Sequence, residues 1–301
     1  MAAVTAARAR KRSPSDWWFP PIAVGRVAAL RLIAYLFVPV DVLLTTSWVY
    51  QHGDVPAVLY RPVLVARLLH LPAPTRPGID LLRLALVFAA AVAAVAVVAH
   101  ATRVVRVAGI AVFVLYGWWM LVAMSYGKVD HDRFGYLVVL AVLPTVGAAA
   151  LGERRPSSEA GWAVRMAQVA AVATYFLAAW AKIRFGGWNW PTGATLTWAV
   201  LRRGTYFADW TLHAPWFLRG FQWFLIGFEL ASPVLFIVRR ERTRYFLVGL
   251  LLVFHVITYL MIRIIFLPHL IALASFLPLE RLGDAVGAGR QRSALAPAAD
   301  R

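Results

Sequence analysis

The feature that most constrains this chain is the length of its apolar blocks. They recur at roughly 18 to 25 residues, the length a helix needs to cross a bilayer core, and 61% of the 301 residues are hydrophobic. A soluble domain would be close to half apolar. Backbone polar groups within lipid have no water to bond, so these blocks must satisfy themselves as helices. The expectation is an all-α, polytopic integral membrane bundle with about seven or eight membrane segments. The first covers about 26–48, then 81–99, 107–125, 134–151, 163–182 and 217–238. The last apolar stretch, 245–279, is too long for one crossing; Arg263 and Pro268 break it into two helices, or into a helix and a re-entrant piece. The first block exceeds a signal-peptide core and has no small-residue cleavage site, so it is read as retained.

Three regions follow. Residues 1–23 form a basic tail and an aromatic anchor, with 1–16 expected to be disordered and Trp17-Trp18-Phe19-Pro20-Pro21 at the headgroup level. Residues 24–281 form the membrane domain. Residues 282–301, rich in Gly and Ala, form a tail expected to be disordered. The formal charge of +17 is spread over short loops and tails, which suits anionic lipid headgroups and argues against a nucleic-acid partner. Arg8, Arg10, Lys11 and Arg12, with Arg103/Arg106, Arg154/Arg155 and Arg239–Arg244 in alternate loops, place the N-terminus in the cytoplasm of a multi-pass cell-membrane protein. There are no cysteines, which removes disulfides and thiolate chemistry. The seven histidines show no short metal-ligand spacing, so no metal is expected.

Few ionisable groups interrupt the apolar blocks, and those that do are candidate site residues. Arg165, Gln168, Tyr175 and Lys182 follow a three-four spacing along the fifth block, a single polar stripe. His255 and Tyr259 lie one turn apart on the seventh, with Arg263 a turn further. Gln222 and Glu229 lie two turns apart on the sixth. Arg31 and Asp41 sit in the first without sharing a face, and Asp130-His131 opens the fourth. On this topology Lys182 and His131 lie at the same, extracytoplasmic, end. Several have ordinary structural readings: Lys182 as a snorkelling helix-end cation, His131 as an interfacial residue, Arg31 as a bridge to backbone carbonyls, Glu229 as partner of Arg31 or Arg165, and Trp188, Trp190 and Trp210 as belt aromatics.

Four segments taken in order carry a resemblance. They are Leu30-Arg31 through Asp41, Ser125 through Leu137 with His131, Tyr175-Phe-Leu-Ala-Ala-Trp-Ala-Lys182-Ile with Trp188 and Gly193-Ala-Thr-Leu, and Glu229 with Pro233 and Phe254-His255. Together they resemble the vitamin K-dependent gamma-carboxylases and their wider relatives, the horizontally transferred transmembrane (HTTM) domain proteins, over about residues 24–281. The resemblance implies a reduced vitamin K or other quinol as cofactor, with O2 and CO2 as co-substrates. It implies Lys182, His131 and His255 as catalytic residues, Lys182 as the base that deprotonates the hydroquinone, and Tyr175, Tyr259, Glu229 and Arg31 around the ring. Where that family carries a pair of lysines, Ala181 replaces the first. The expected activity is a gamma-glutamyl carboxylase-like lyase and quinol epoxidase. The chain stops at Arg301, about twenty residues past its last apolar block, so a small glutamyl substrate or a substrate-delivering protein is expected instead of a propeptide-tagged one. The alternatives are a quinone-binding redox subunit without carboxylation, and a non-enzymatic interaction or transport module whose polar stripe is a packing network.

Overall fold

The computed structural model describes residues 14–127 and 130–283. The chain is an all-α bundle in which, among the described residues, six helices are long and apolar enough to cross a membrane. Eight helices, α1 to α8, build the bundle. They are α1 (Val24–Val40, continued by a π turn at Asp41–Thr45), α2 (Arg76–Val98), α3 (Thr102–Met124), α4 (Phe134–Val142), α5 (Ser158–Gly186), α6 (Pro215–Leu230), α7 (Glu241–Ile262) and α8 (Leu267–Ala274). Short helical turns fill the connections, including Leu64–Leu68 and Ala194–Arg203. Arg8, Arg10, Lys11, Arg12, Lys128 and everything beyond Gly283 lie outside the described residues, and with them the disorder expected of both tails. The part of the N-terminal stretch that is described differs from that expectation: Pro14–Trp18 is a helical turn, and Trp17 docks on the bundle through Phe236 and Arg165.

The fourth apolar block is not one helix across 134–151. The helix α4 has nine residues and tightens into a 3-10 turn at Leu143–Thr145, because Pro144 cannot continue it. A helix that stops inside a membrane leaves its last carbonyls without donors, at several kcal/mol each. Here two arginines from neighbouring helices supply them. Arg31 of α1, 2% exposed, donates from Nε and NH2 to the Leu143 carbonyl (3.2 and 2.8 Å), from NH1 to Gly147 (3.1 Å) and from NH2 to Val146. Arg106 of α3 donates to the Pro144 carbonyl at 3.2 Å. Cations at this helix end also oppose its dipole favourably.

The last apolar stretch breaks as the sequence suggests. Arg263 adopts a left-handed conformation (φ 55°) and ends α7, and Pro268 opens the eight-residue α8. The two short helices α4 and α8 pack on one another and on α5, so the interrupted segments are enclosed by protein. By contrast α7 buries only Val248, Leu251 and His255, which makes it an edge helix.

The end of the bundle away from Lys182 is closed by backbone pairing. Ile22–Ala23 pairs antiparallel with Pro156–Ser157, and Gly161 passes so close to the Pro20 carbonyl that any Cβ would overlap it. Arg26 closes the same end with a fork onto Glu280, Nε to Oε2 at 2.8 Å and NH2 to Oε1 at 2.9 Å. Burial alone would raise the Glu280 carboxyl, but the Arg26 hydrogen bonds, a backbone hydrogen bond and the nearby Arg26 and Arg154 charges together outweigh it and hold the carboxyl below the usual 4.5. A carboxyl depressed on folding stabilises the fold above that value and stops doing so as the pH falls through its lowered one. Arg26→Gln should therefore lower stability by about 2 kcal/mol at neutral pH. The deficit should shrink in thermal melts run progressively below pH 4.5.

Candidate functional site

The stripe on α5 faces protein, and each of its polar residues meets a different element. At its start, Arg165 donates to the Trp17 carbonyl (3.0 Å) and to Gln168 Oε1 (3.0 Å). Gln168 donates to the Ser275 carbonyl beyond α8 at 3.1 Å. Tyr175, 4% exposed, shares a 2.6 Å hydrogen bond with His255 Nε2 of α7. Lys182 donates from Nζ to both carboxylate oxygens of Glu229 on α6, at 2.5 Å each. Tyr175 and Lys182 are seven residues apart, two turns and about 10 Å along one face, so the two contacts lie in neighbouring layers of the bundle on the same stripe.

The Lys182–Glu229 pair is mostly shielded, with side chains 24% and 8% exposed. The Trp190 ring lies 5.4 Å from Nζ and covers it. That position depends on the turn after α5. Gly187 takes φ 62°, and at Gly186 a Cβ would crowd the Trp190 ring at 2.7 Å. Gln222, one helical face below Glu229 on α6, holds the Trp190 backbone carbonyl at 2.9 Å. Trp190, read from sequence as a belt residue, is thus part of the wall.

A second histidine joins the Tyr175–His255 layer. His269 of α8 is 1% exposed, its ring packs edge-on to Tyr175 at 4.6 Å and lies 5.5 Å from His255. His255 also rests against Phe266 at 4.9 Å. His255 Nδ1 and both ring nitrogens of His269 are buried with no hydrogen-bond partner among the described residues. Buried polar atoms without partners cost free energy, and these three sit on two neighbouring imidazoles packed edge to face. The sequence reading counted His269 only among seven histidines; its position one residue after the helix-breaking Pro268 was the available signal.

The remaining candidates divide. His131 is exposed at the head of α4 and is not bonded to Lys182. Arg31 does not join the layer: all its donors serve carbonyls of residues 143, 146 and 147 at the far end of α4. These hydrogen bonds are those of its structural reading, a bridge to backbone carbonyls. Tyr259 is 49% exposed on the outer face of α7 and lies away from His255's buried side, because one turn plus its residual 40° carries the ring past the seam. Glu229 pairs with neither Arg31 nor Arg165 but with Lys182.

One buried cluster went unassigned in the sequence reading. Asp41, fully buried, accepts from Tyr116 Oη at 2.7 Å and pairs with Arg133 NH2 at 3.3 Å. Arg133 in turn pairs with Asp130 (3.7 Å) and Asp132 (3.2 Å). It locks the head of α4, and so the His131 loop, to α1 and α3. Burial foremost, with Asp130 beside it, pushes the Asp132 carboxyl up despite Arg133. Among the described residues no group of three or more His, Asp or Glu is disposed to hold a metal ion. No protein-family model, curated protein or solved structure matches this chain.

Proposed function

We propose that the chain is a membrane-embedded, quinol-dependent enzyme of the gamma-carboxylase-like kind. In this reading the Lys182–Glu229 pair takes a proton from a lipid-soluble hydroquinone. The observation that carries the reading is a shielded amine–carboxylate pair set one layer from a tyrosine and two histidines with unpartnered nitrogens. Lysine alone would be a poor base near neutrality, since free lysine titrates near pH 10.4. The pair behaves as a unit. As ammonium and carboxylate it is overall neutral and has room for one more proton, on Glu229. A proton taken there leaves a net positive charge beside the site, which stabilises an anion forming next to it.

The residues present suit a small aromatic ring with oxygens on its edge. Tyr175, Phe266 and His269 supply ring faces, and the free imidazole nitrogens can donate to or accept from ring oxygens. A reduced quinone bound there would supply an acidic phenolic hydrogen and, when oxidised by O2, a base strong enough to remove the proton that carboxylation replaces. The protein's own residues have separate tasks. Trp190 and Gln222 exclude water from the pair, and the Tyr175–His255 hydrogen bond passes protons between α5 and α7. A cytoplasmic N-terminus and a site toward the extracytoplasmic side remain part of the proposal, resting on the basic loops. A small glutamyl substrate, or one brought by a partner protein, is the acceptor it calls for.

Purified protein should consume oxygen when given a reduced naphthoquinone, and should fix labelled carbon dioxide when a glutamyl peptide is added. Oxygen uptake without carbon dioxide fixation would move the reading to quinol oxidation alone. Absence of both activities would end it. One observation favours a second reading, a non-enzymatic packing network: Lys182 spends its hydrogen bonds on Glu229, and that contact ties α5 to α6.

A further inference from the structure

Between α2 and α3 the outer surface of the bundle carries a groove of about 500 Å³, within the roughly 300–1,000 Å³ usual for small-molecule sites. Small side chains make its floor, Ala89 of α2 with Ala108 and Ala111 of α3, and Phe88 and Val107, each 68% exposed, flank it. The two helices meet through the short turn between Val98 and Thr102. Arg103 stands at that end, in the first turn of α3, and is the one ionisable lining residue among those described. Its side chain is exposed and makes no hydrogen bond or ion pair among the described residues. Arg106, three residues on, is already committed to the Pro144 carbonyl. The groove shares no residue with the Lys182–Glu229 pair or the histidines beside it.

We propose that this groove holds one acyl chain of an anionic phospholipid whose phosphate sits on Arg103. Length sets the kind of occupant. From Arg103 to Ala111 the helix rises about 12 Å, against about 15 Å for the hydrocarbon of a single leaflet. A chain from one leaflet fits with its headgroup at the level of Arg103, and a molecule that crosses the bilayer does not. Charge sets the headgroup. A guanidinium matches phosphate oxygens with paired donors, and no carboxylate lines the groove to receive a choline or ethanolamine nitrogen. A headgroup without a phosphate would leave the guanidinium unmatched. Arg103 also belongs to a basic loop read as cytoplasmic, the side on which anionic lipid gathers. An acyl chain gains on leaving bulk lipid only through closer packing, which a groove floored by alanines offers and a convex helix face does not.

The test compares two probes in nanodiscs of phosphatidylcholine holding the full chain. One is phosphatidylglycerol and the other phosphatidylcholine, with identical acyl chains, one of which carries a photoreactive diazirine. In wild type the phosphatidylglycerol probe should label peptides covering 88–92 and 104–111 at about five times the yield of the phosphatidylcholine probe, the ratio expected for one arginine near an anionic headgroup. Arg103→Gln, at an exposed position, should bring the two yields together. Ala111→Phe, which fills the floor, should lower the labelling of both peptides by either probe at least about tenfold by displacing a few methylenes. Unlabelled phosphatidylglycerol should compete with its probe, and glycerol 3-phosphate should not, because a headgroup alone leaves the groove empty. Equal yields in wild type, a preference that survives Arg103→Gln, or labelling concentrated outside α2 and α3 would overturn the proposal. Competition by glycerol 3-phosphate would overturn it too, in favour of a site for the phosphate alone. If Ala111→Phe does not fold, the comparison of wild type with Arg103→Gln decides.

Discussion

Replacing Lys182 with Ala should reduce quinol-dependent oxygen uptake by about 10²–10⁴-fold, the range a positioned acid–base group supplies. That variant alone does not separate chemistry from architecture. It strands the Glu229 carboxylate, 8% exposed, and breaking a buried pair from one side costs about 3–5 kcal/mol. A destabilised Lys182→Ala protein would therefore fit both an enzyme and a packing network. The double variant Lys182→Met/Glu229→Leu removes both charges and keeps the volume, which commonly restores or improves stability. The quinol reading expects this protein to melt near wild type and to show no turnover. Glu229→Gln should also lose turnover, since an amide cannot take the proton. Oxygen uptake persisting in a folded double variant would eliminate proton abstraction by the pair.

The pairing itself shows where sequence reasoning reaches and where it stops. The apolar blocks and the polar stripe on α5 are local, set by block length and by three-four spacing, and both appear in the structure with boundaries shifted by a few residues. Lys182, Glu229, Tyr175 and His255 were each legible as polar residues in apolar runs. Their partners were not, because α5 and α6 lie 47 residues apart at the contact and nothing in spacing says which helices touch. Tyr259 faces outward for a geometric reason: on an edge helix that buries a narrow stripe, a residue one turn on already lies off it. The fourth block was misread as a full helix because the groups that permit it to stop, Arg31 and Arg106, are supplied from 112 and 38 residues away.

That last contact yields the largest expected effect on stability. Arg31→Leu should remove the donors that serve three carbonyls at the broken end of α4. Hydrogen bonds to a charged donor contribute about 1.5–3 kcal/mol each, and buried acceptors left bare cost more. The expected loss is therefore at least about 4 kcal/mol, enough that the variant should barely accumulate in membranes. Arg31→Lys should recover only part of it, because one ammonium is a point donor and cannot fork across carbonyls of residues 143, 146 and 147 as a planar guanidinium does. The decisive readout is how the damage divides. A capping role lowers the melting temperature of Arg31→Lys while the folded fraction binds and turns over reduced naphthoquinone with wild-type constants. A cofactor role lowers quinone affinity at unchanged melting temperature, and that result would overturn the capping role.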